Sequence, residues 1–295
     1  MAQTLSDIKR LLADHGLGPK KKFGQNFLHD ANHMQKIMDA ARLAPGDVVL
    51  EVGPGTGALT ERLVEAGARV VAVEIDRDMA PILEARLGDK ITLHLGDALD
   101  GKHAINAQVL ALLERAAAVR ERVASDQVAP DQPIEKTNPL PHGRGSFKLI
   151  ANLPYNIASP LLANLAVDHV EMTDAVVMIQ KEVADRLHAV PGTKAYGPLG
   201  VLIQALFEVE RVGVLKPGCF YPPPSIDSAV VALRRRATPM CTDAKALGAL
   251  LHTLFSKRRK QLGSILGRDA ALPGGVVPTM RPEQLTVDQL CELTR

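Results

Sequence analysis

Asn152-Leu153-Pro154-Tyr155 is the tetrapeptide richest in chemistry. Asparagine is no general base, but its side-chain oxygen accepts hydrogen bonds, and a main-chain carbonyl of Leu153 or Pro154 adds a second acceptor. Such a pair would suit an amine like N6 of adenine, whose lone pair is delocalised into the ring. Acceptors that fix its hydrogens favour a pyramidal nitrogen and aim the lone pair at an electrophilic carbon. Pro154 stiffens the turn. Tyr155 could stack on an extruded base, a contact worth about 1–3 kcal/mol in single-strand binders. Catalysis would then rest on positioning and electrostatic fit.

A second constellation points to an adenosyl ligand. Glu51-Val-Gly-Pro-Gly-Thr-Gly57 follows an apolar run and precedes a helical pattern, so its glycines would bring backbone N–H groups close to a bound molecule. The spacing Gly53-x-Gly55-x-Gly57 differs from the dinucleotide fingerprint, and no P-loop pattern occurs. Alone, such a turn could simply join a strand to a helix. Glu74 stands 17 residues after Gly57, where a carboxylate can accept from both ribose hydroxyls. Asp97 ends the next apolar run, in reach of an adenine amino group. Together the three features favour an adenosyl site.

Strands must deliver these groups. Val48–Val52, Val70–Glu74, Ile91–Leu95, Phe147–Ala151 and Ala175–Ile179 are short apolar runs separated by helical patterns. That alternation predicts a doubly wound, mostly parallel α/β sheet, with ligands beyond the carboxyl ends of its strands. Three parts are expected: an N-terminal basic and helical segment over 1–45, a Rossmann-like domain over 46–210, and a C-terminal region over 211–295, mostly helical after 244. The boundary is placed near residues 211–236, where Pro222-Pro223-Pro224 breaks the chain. An insertion is expected over about 100–146, with Ser125–Ser146 as a surface stretch.

The composition is that of an ordinary globular protein, 46% hydrophobic and 23% charged. No apolar run is long enough to span a bilayer and no secretory signal is evident, so a cytoplasmic protein without membrane contact is expected. Three dispersed cysteines and nine histidines show no metal-ligand spacing, and no metal is expected. Net charge is only +2, but Arg211 to Leu262 holds ten Lys/Arg against two acids. Lys20, Lys21 and Lys22 form one basic cluster, Arg234 and Arg235 lie in a second, and Lys257, Arg258, Arg259 and Lys260 form a third. Such blocks suit a polyanion; a merely solvated basic face is the alternative.

The sequence closely resembles the bacterial small-subunit rRNA adenine dimethyltransferases. The resemblance is carried by Lys22–Leu28, Glu51–Thr60, Val73–Asp76, Gly96–Ala98, Asn152–Ser159, Gln180–Val183, Lys194–Gly197, Phe220–Val230 and Phe255–Leu262, in the family's order. It implies a Rossmann-like S-adenosylmethionine-dependent methyltransferase sheet with a smaller helical C-terminal domain. The expected activity is dimethylation of N6 on two adjacent adenines in the 3′-terminal hairpin loop of 16S rRNA. The expected partner is 16S rRNA in the immature small subunit, met by a monomer.

Carried over residue by residue, the resemblance assigns Asn26, Leu28, Gly53, Glu74, Asp97 and Asn152 to the S-adenosyl-L-methionine site. Asn152 and Tyr155 would orient the amine, Phe220 would stack on the target base, and Phe255–Leu262 would meet rRNA. The stretch Ser125–Ser146 departs from the family, whose connection there is much shorter. Rival readings are a large-subunit rRNA adenine dimethyltransferase, a DNA adenine methyltransferase, and an RNA-binding assembly factor with little turnover.

Overall fold

The structure, a computed structural model, describes residues 3–126, 145–267 and 269–294. The chain opens with α1 (Leu5–Asp14), whose Thr4–Asp7 capping box fixes its start and which buries Ile8 and Leu12. A two-residue strand β1 (Phe27–Leu28) leads into α2 (Ala31–Ala41), N-capped by Asp30. Then β2 (Val48–Val52), α3 (Ala58–Glu65), β3 (Arg69–Glu74), α4 (Ala80–Leu87) and β4 (Ile91–Leu95) alternate. All five residues of β2 are buried, as expected of a parallel strand covered on both faces.

A small hairpin, β5 (Leu99–Asp100) and β6 (Ala104–Ile105), precedes α5 (Ala107–Asp126). Of the expected surface stretch Ser125–Ser146, residues 127–144 lie outside the described residues. The chain continues through β7 (Phe147–Asn152), α6 (Ala158–Asp168), β8 (Met172–Gln180), α7 (Lys181–Leu187) and α8 (Pro198–Leu206). It ends with β9 (Phe207–Leu215), β10 (Phe220–Tyr221), β11 (Ser228–Arg235), α9 (Ala244–Ser256), α10 (Leu262–Leu266) and α11 (Val287–Glu292).

Seven strands form one sheet in the order β4-β3-β2-β7-β8-β11-β9. The first five run parallel, and β11 pairs antiparallel with both β8 and β9. Chain order reverses between β2 and β7, which are neighbours through Val49↔Lys148 and Leu50↔Leu149. In an open α/β sheet the crevice at such a switch point is where ligands sit. The Gly53 turn leaves one of these strands and Asn152 ends the other, so the two sequence constellations become adjacent.

Residues 211–236, where a boundary is expected, carry parts of two strands of this sheet. β9 and β11 complete its antiparallel edge, and the three prolines lie in the connection between β10 and β11. Proline lacks the N–H a ladder needs, so it marks where pairing pauses rather than where the sheet ends. The chain leaves the sheet after Arg235. Leu247, Leu251, Leu254, Leu262 and Leu290 then join Val201 and Leu206 in one apolar cluster that also holds sheet residues.

Candidate active site

A cleft opens at the carboxyl ends of β2, β3, β4 and β7. It holds a cavity of about 230 Å3. Gly53, Gly55 and Gly57 all have positive φ, at 78°, 56° and 79°. Gly55 has a further reason to be glycine: a Cβ there would stand 2.8 Å from the Phe27 ring. This packs the turn tightly under the N-terminal segment.

Glu74 is 4% exposed at the end of β3. One carboxylate oxygen accepts from Gly55 N at 3.1 Å and the other from Asp76 N at 2.8 Å. Burial pushes this carboxyl above its ordinary range, opposed by those two N–H groups. A carboxylate offers about four acceptor positions, so the bonds that orient Glu74 leave capacity for two ribose hydroxyls. Asp97 is exposed, with Oδ1 accepting from Leu99 N at 3.0 Å in a tight turn. Asp97 also lines the cleft, as do Gly53 and Asn26.

Asn152 donates its side-chain N–H to the Asn26 carbonyl at 2.9 Å. The reverse amide orientation would set two oxygens against each other, so this contact leaves Oδ1 as the acceptor available to a ligand. Leu153, Pro154 and Tyr155 line the same cleft, and Leu153 N is tied to Met178 O on β8 at 3.1 Å. The Tyr155 hydroxyl lies 2.6 Å from Ser228 Oγ on β11. Burial raises its pKa, with Ser228 opposing. The ring is thereby held by its far end at the wall of the cleft.

Two expected residues stand back from the cleft. Phe220 is 3% exposed and packs with Leu28 and Met34. It sits opposite Leu28 in the β1–β10 ribbon, and neither side chain lines the main cleft. Leu28 instead borders a smaller cavity beside Glu51 and Asn152.

The basic clusters divide by what they already bind. Arg234 pairs with Asp174 at 2.7 Å and donates to the Ala40 carbonyl. Arg235 donates to the carbonyls of Met172, Ala166 and His169 and lies over the Phe207 ring. The two residues expected to face RNA lie on an internal strand, β11, and their guanidinium groups here satisfy strand and helix ends. Lys20 is held by Asp76 and Asp78, and Arg258 donates to the carbonyls of Lys194 and Thr193. Lys21, Lys22, Lys257, Arg259 and Lys260 are exposed.

Sequence reasoning passed over several groups that build the site. Asp76, 2% exposed, accepts from Lys20 at 2.6 Å and Gln25 at 2.8 Å. Burial works to raise its carboxyl, but these donors outweigh it and hold the group low. They tie the N-terminal segment over the cleft. Asp76 and Gln25 lay inside matched stretches, but their partnership spans 51 residues, and no local spacing reveals it. Ile75, 43% exposed, presents an apolar face to the cleft beside Glu74.

Glu51 is 1% exposed, its Oε2 has no hydrogen-bond partner, and burial pushes its carboxyl up to about 8, with the Glu74 charge adding to the rise. A carboxyl above its ordinary 4.5 in the folded state binds its proton more tightly folded than unfolded. Its contribution to stability therefore falls as pH rises from about 4.5 to about 8. Glu51→Gln keeps the neutral shape without the titration. Thermal unfolding across this window should show a gentler loss with rising pH for the variant; parallel curves would contradict the account.

Solved structures of similar shape supply the class. The crystal structure of a dimethyladenosine transferase from Plasmodium falciparum superposes with a TM-score of 0.66 at 24% identity, covering 90% of this chain and 95% of that one. That of the 23S rRNA methyltransferase ErmE gives 0.55 at 26%, covering 91% and 99%. The sheet and its switch-point cleft are thus those of a Rossmann-like methyltransferase.

The family follows from sequence. The model of the family described as Ribosomal RNA adenine dimethylase matches residues 17–293. Proteins named Ribosomal RNA small subunit methyltransferase A are similar over nearly the whole chain. That of Syntrophotalea carbinolica is 39% identical, covering 94% of this chain and 96% of its own. That of Streptomyces coelicolor is 37% identical, covering 98% and 94%. The chain belongs to the ribosomal RNA adenine dimethylase family, as the sequence motifs led one to expect.

Proposed function

We propose that the chain transfers methyl groups from S-adenosyl-L-methionine to N6 of two adjacent adenines in the 3′-terminal hairpin loop of 16S rRNA. We assign it to the cytoplasm, acting as a monomer on the immature small subunit. No helix among the described residues is long and apolar enough to cross a membrane. The observation that carries the reading is the Asn152 amide, its nitrogen committed to Asn26 and its oxygen left for the substrate at the wall of the cleft.

The residues present fit the adenosyl group. Glu74 supplies oriented acceptors for the ribose, Asp97 an acceptor for the adenine amino group, and Ile75 an apolar surface between them. The Gly53 turn lets backbone approach closely. S-adenosyl-L-methionine, when bound, supplies an electrophilic sulfonium methyl. Asn152 Oδ1 and a carbonyl of Leu153 or Pro154 accept the hydrogens of N6 and hold its lone pair in line. Tyr155, fixed by Ser228, supports the extruded base. No side chain need take the proton, which passes to water after transfer. Phe220 would join the stack only after the β1–β10 ribbon moves, because its ring is now buried.

The test is transfer of labelled methyl to unmethylated small subunits, with large subunits and protein-free rRNA as other arms. Label on small subunits is expected; equal label on large subunits would overturn the reading in favour of the large-subunit alternative. The exposed cations Lys21, Lys22, Lys257, Arg259 and Lys260 would carry the phosphate contacts. Replacing Lys257, Arg259 and Lys260 together should flatten the salt dependence of subunit binding by about 0.7–0.9 per lost contact. Arg258→Ala should change that slope less, because Arg258 is held internally. An unchanged slope in the triple variant would assign the cluster to a solvated face.

A further inference from the structure

Asp30, His33 and Cys219 come together away from the cleft, on the side of the β1–β10 ribbon that faces α2. Their nearest donor atoms all lie within 4.8 Å of one another. Cys219 Sγ stands 3.9 Å from an Asp30 oxygen and 3.9 Å from His33 Nδ1, and His33 Nδ1 is 2.9 Å from the other Asp30 oxygen. A tetrahedral zinc ion with bond lengths of about 2.0–2.3 Å separates such ligand atoms by about 3.4–3.6 Å. The 3.9 Å between Cys219 Sγ and His33 Nδ1 therefore needs to close by less than about half an ångström, and one Asp30 oxygen already lies within 4.8 Å of both, separations that side-chain rotation can adjust.

The geometry points to a divalent transition-metal site of the zinc class at Asp30, His33 and Cys219. Thiolate, imidazole and carboxylate are the donor set such ions prefer, and three protein ligands leave a fourth position for water. The side chains of His33 and Asp30 are 19% and 31% exposed, so an ion has a path in. Both anchors are already in place. Asp30 caps α2 by accepting from His33 N at 2.9 Å, and His29 N donates to the Cys219 carbonyl at 3.1 Å. Binding displaces the thiol proton and breaks the His33–Asp30 contact.

The site has a structural consequence. Cys219 immediately precedes Phe220, and α2 follows directly on β1, so an ion here staples both strands of the ribbon to one helix end. No spacing in the sequence could suggest this, since His33 and Cys219 are 186 residues apart. The ion lies outside the adenosyl cleft and takes no part in the methyl transfer.

The experiment uses the full chain, stripped with a chelator and titrated with Zn2+ against a chromophoric chelator, then separately with Co2+. One equivalent of Zn2+ per chain is expected, and Co2+ should develop thiolate charge-transfer absorption. Cys219→Ser should abolish that absorption and weaken Zn2+ by more than the about 10–100-fold that a lost outer-sphere partner costs. His33→Ala should weaken Zn2+ similarly, and Cys241→Ser should leave it unchanged. Circular dichroism confirms that each variant is folded. Failure of the wild-type chain to take up one equivalent, Co2+ absorption without a thiolate band, or binding that survives Cys219→Ser would overturn the site.

Discussion

Asn152→Ala is expected to lower the single-turnover rate of methyl transfer by about 10²–10³-fold, the usual effect of removing one preorganised polar group from a transition state. The side chain has two separable duties. Its nitrogen tethers the Asn26 carbonyl at 2.9 Å, and a lost neutral hydrogen bond of this kind costs about 1 kcal/mol. Its oxygen aligns the amine, which matters only as N6 becomes pyramidal. Binding of S-adenosyl-L-methionine should therefore weaken by no more than about ten-fold while the rate collapses. Asn152→Asp adds a sharper arm: an ionised carboxylate would face the Asn26 carbonyl, whereas a protonated one can donate to it. Activity of that variant should rise as pH falls, opposite to a simple loss of fold. A rate near wild type for Asn152→Ala would remove Asn152 from this role.

Glu74→Ala should act on the other side of the ledger, weakening cofactor binding by about 10²-fold or more, since hydrogen bonds to a charged acceptor are worth about 1.5–3 kcal/mol each. Its carboxylate also orders the Gly53–Gly57 turn and the Asp76 amide, so the loss includes preorganisation. The pH dependence has a definite sign. Burial raises the Glu74 carboxyl, and protonation removes acceptor capacity, so affinity should fall as pH drops through that raised value. Glu74→Gln, which cannot ionise, should bind weakly with no such pH dependence. Calorimetric titration at several pH values distinguishes these outcomes. Equal affinity in wild type and Glu74→Ala would displace the ribose from this residue.

Much of the fold was legible because buried parallel strands leave continuous apolar runs, and these ended at the glycine turn, Glu74, Asp97 and Asn152. The antiparallel edge was harder. β9 reads Phe-Glu-Val-Glu-Arg-Val-Gly-Val-Leu and is largely solvent-facing, so it lacks the apolar signature of its neighbours. The three prolines before β11 gave a stronger local signal than the sheet that continues past them. Charge was legible as composition but not as use: Arg234 and Arg235 look like a basic patch until their carbonyl and carboxylate partners, about 60–190 residues away, are known. The same holds for Asp76 and Gln25. Local chemistry can be read along the chain, whereas pairing at a distance requires the fold.

The most direct measurement is nucleoside-resolved mapping of unmethylated small subunits after incubation with the protein and S-adenosyl-L-methionine. N6,N6-dimethyladenosine should form at two adjacent adenines of the 3′-terminal hairpin loop, and with Asn152→Ala it should form there about 10²–10³-fold more slowly. Methylation at another atom or another site, or none at all, would contradict the account.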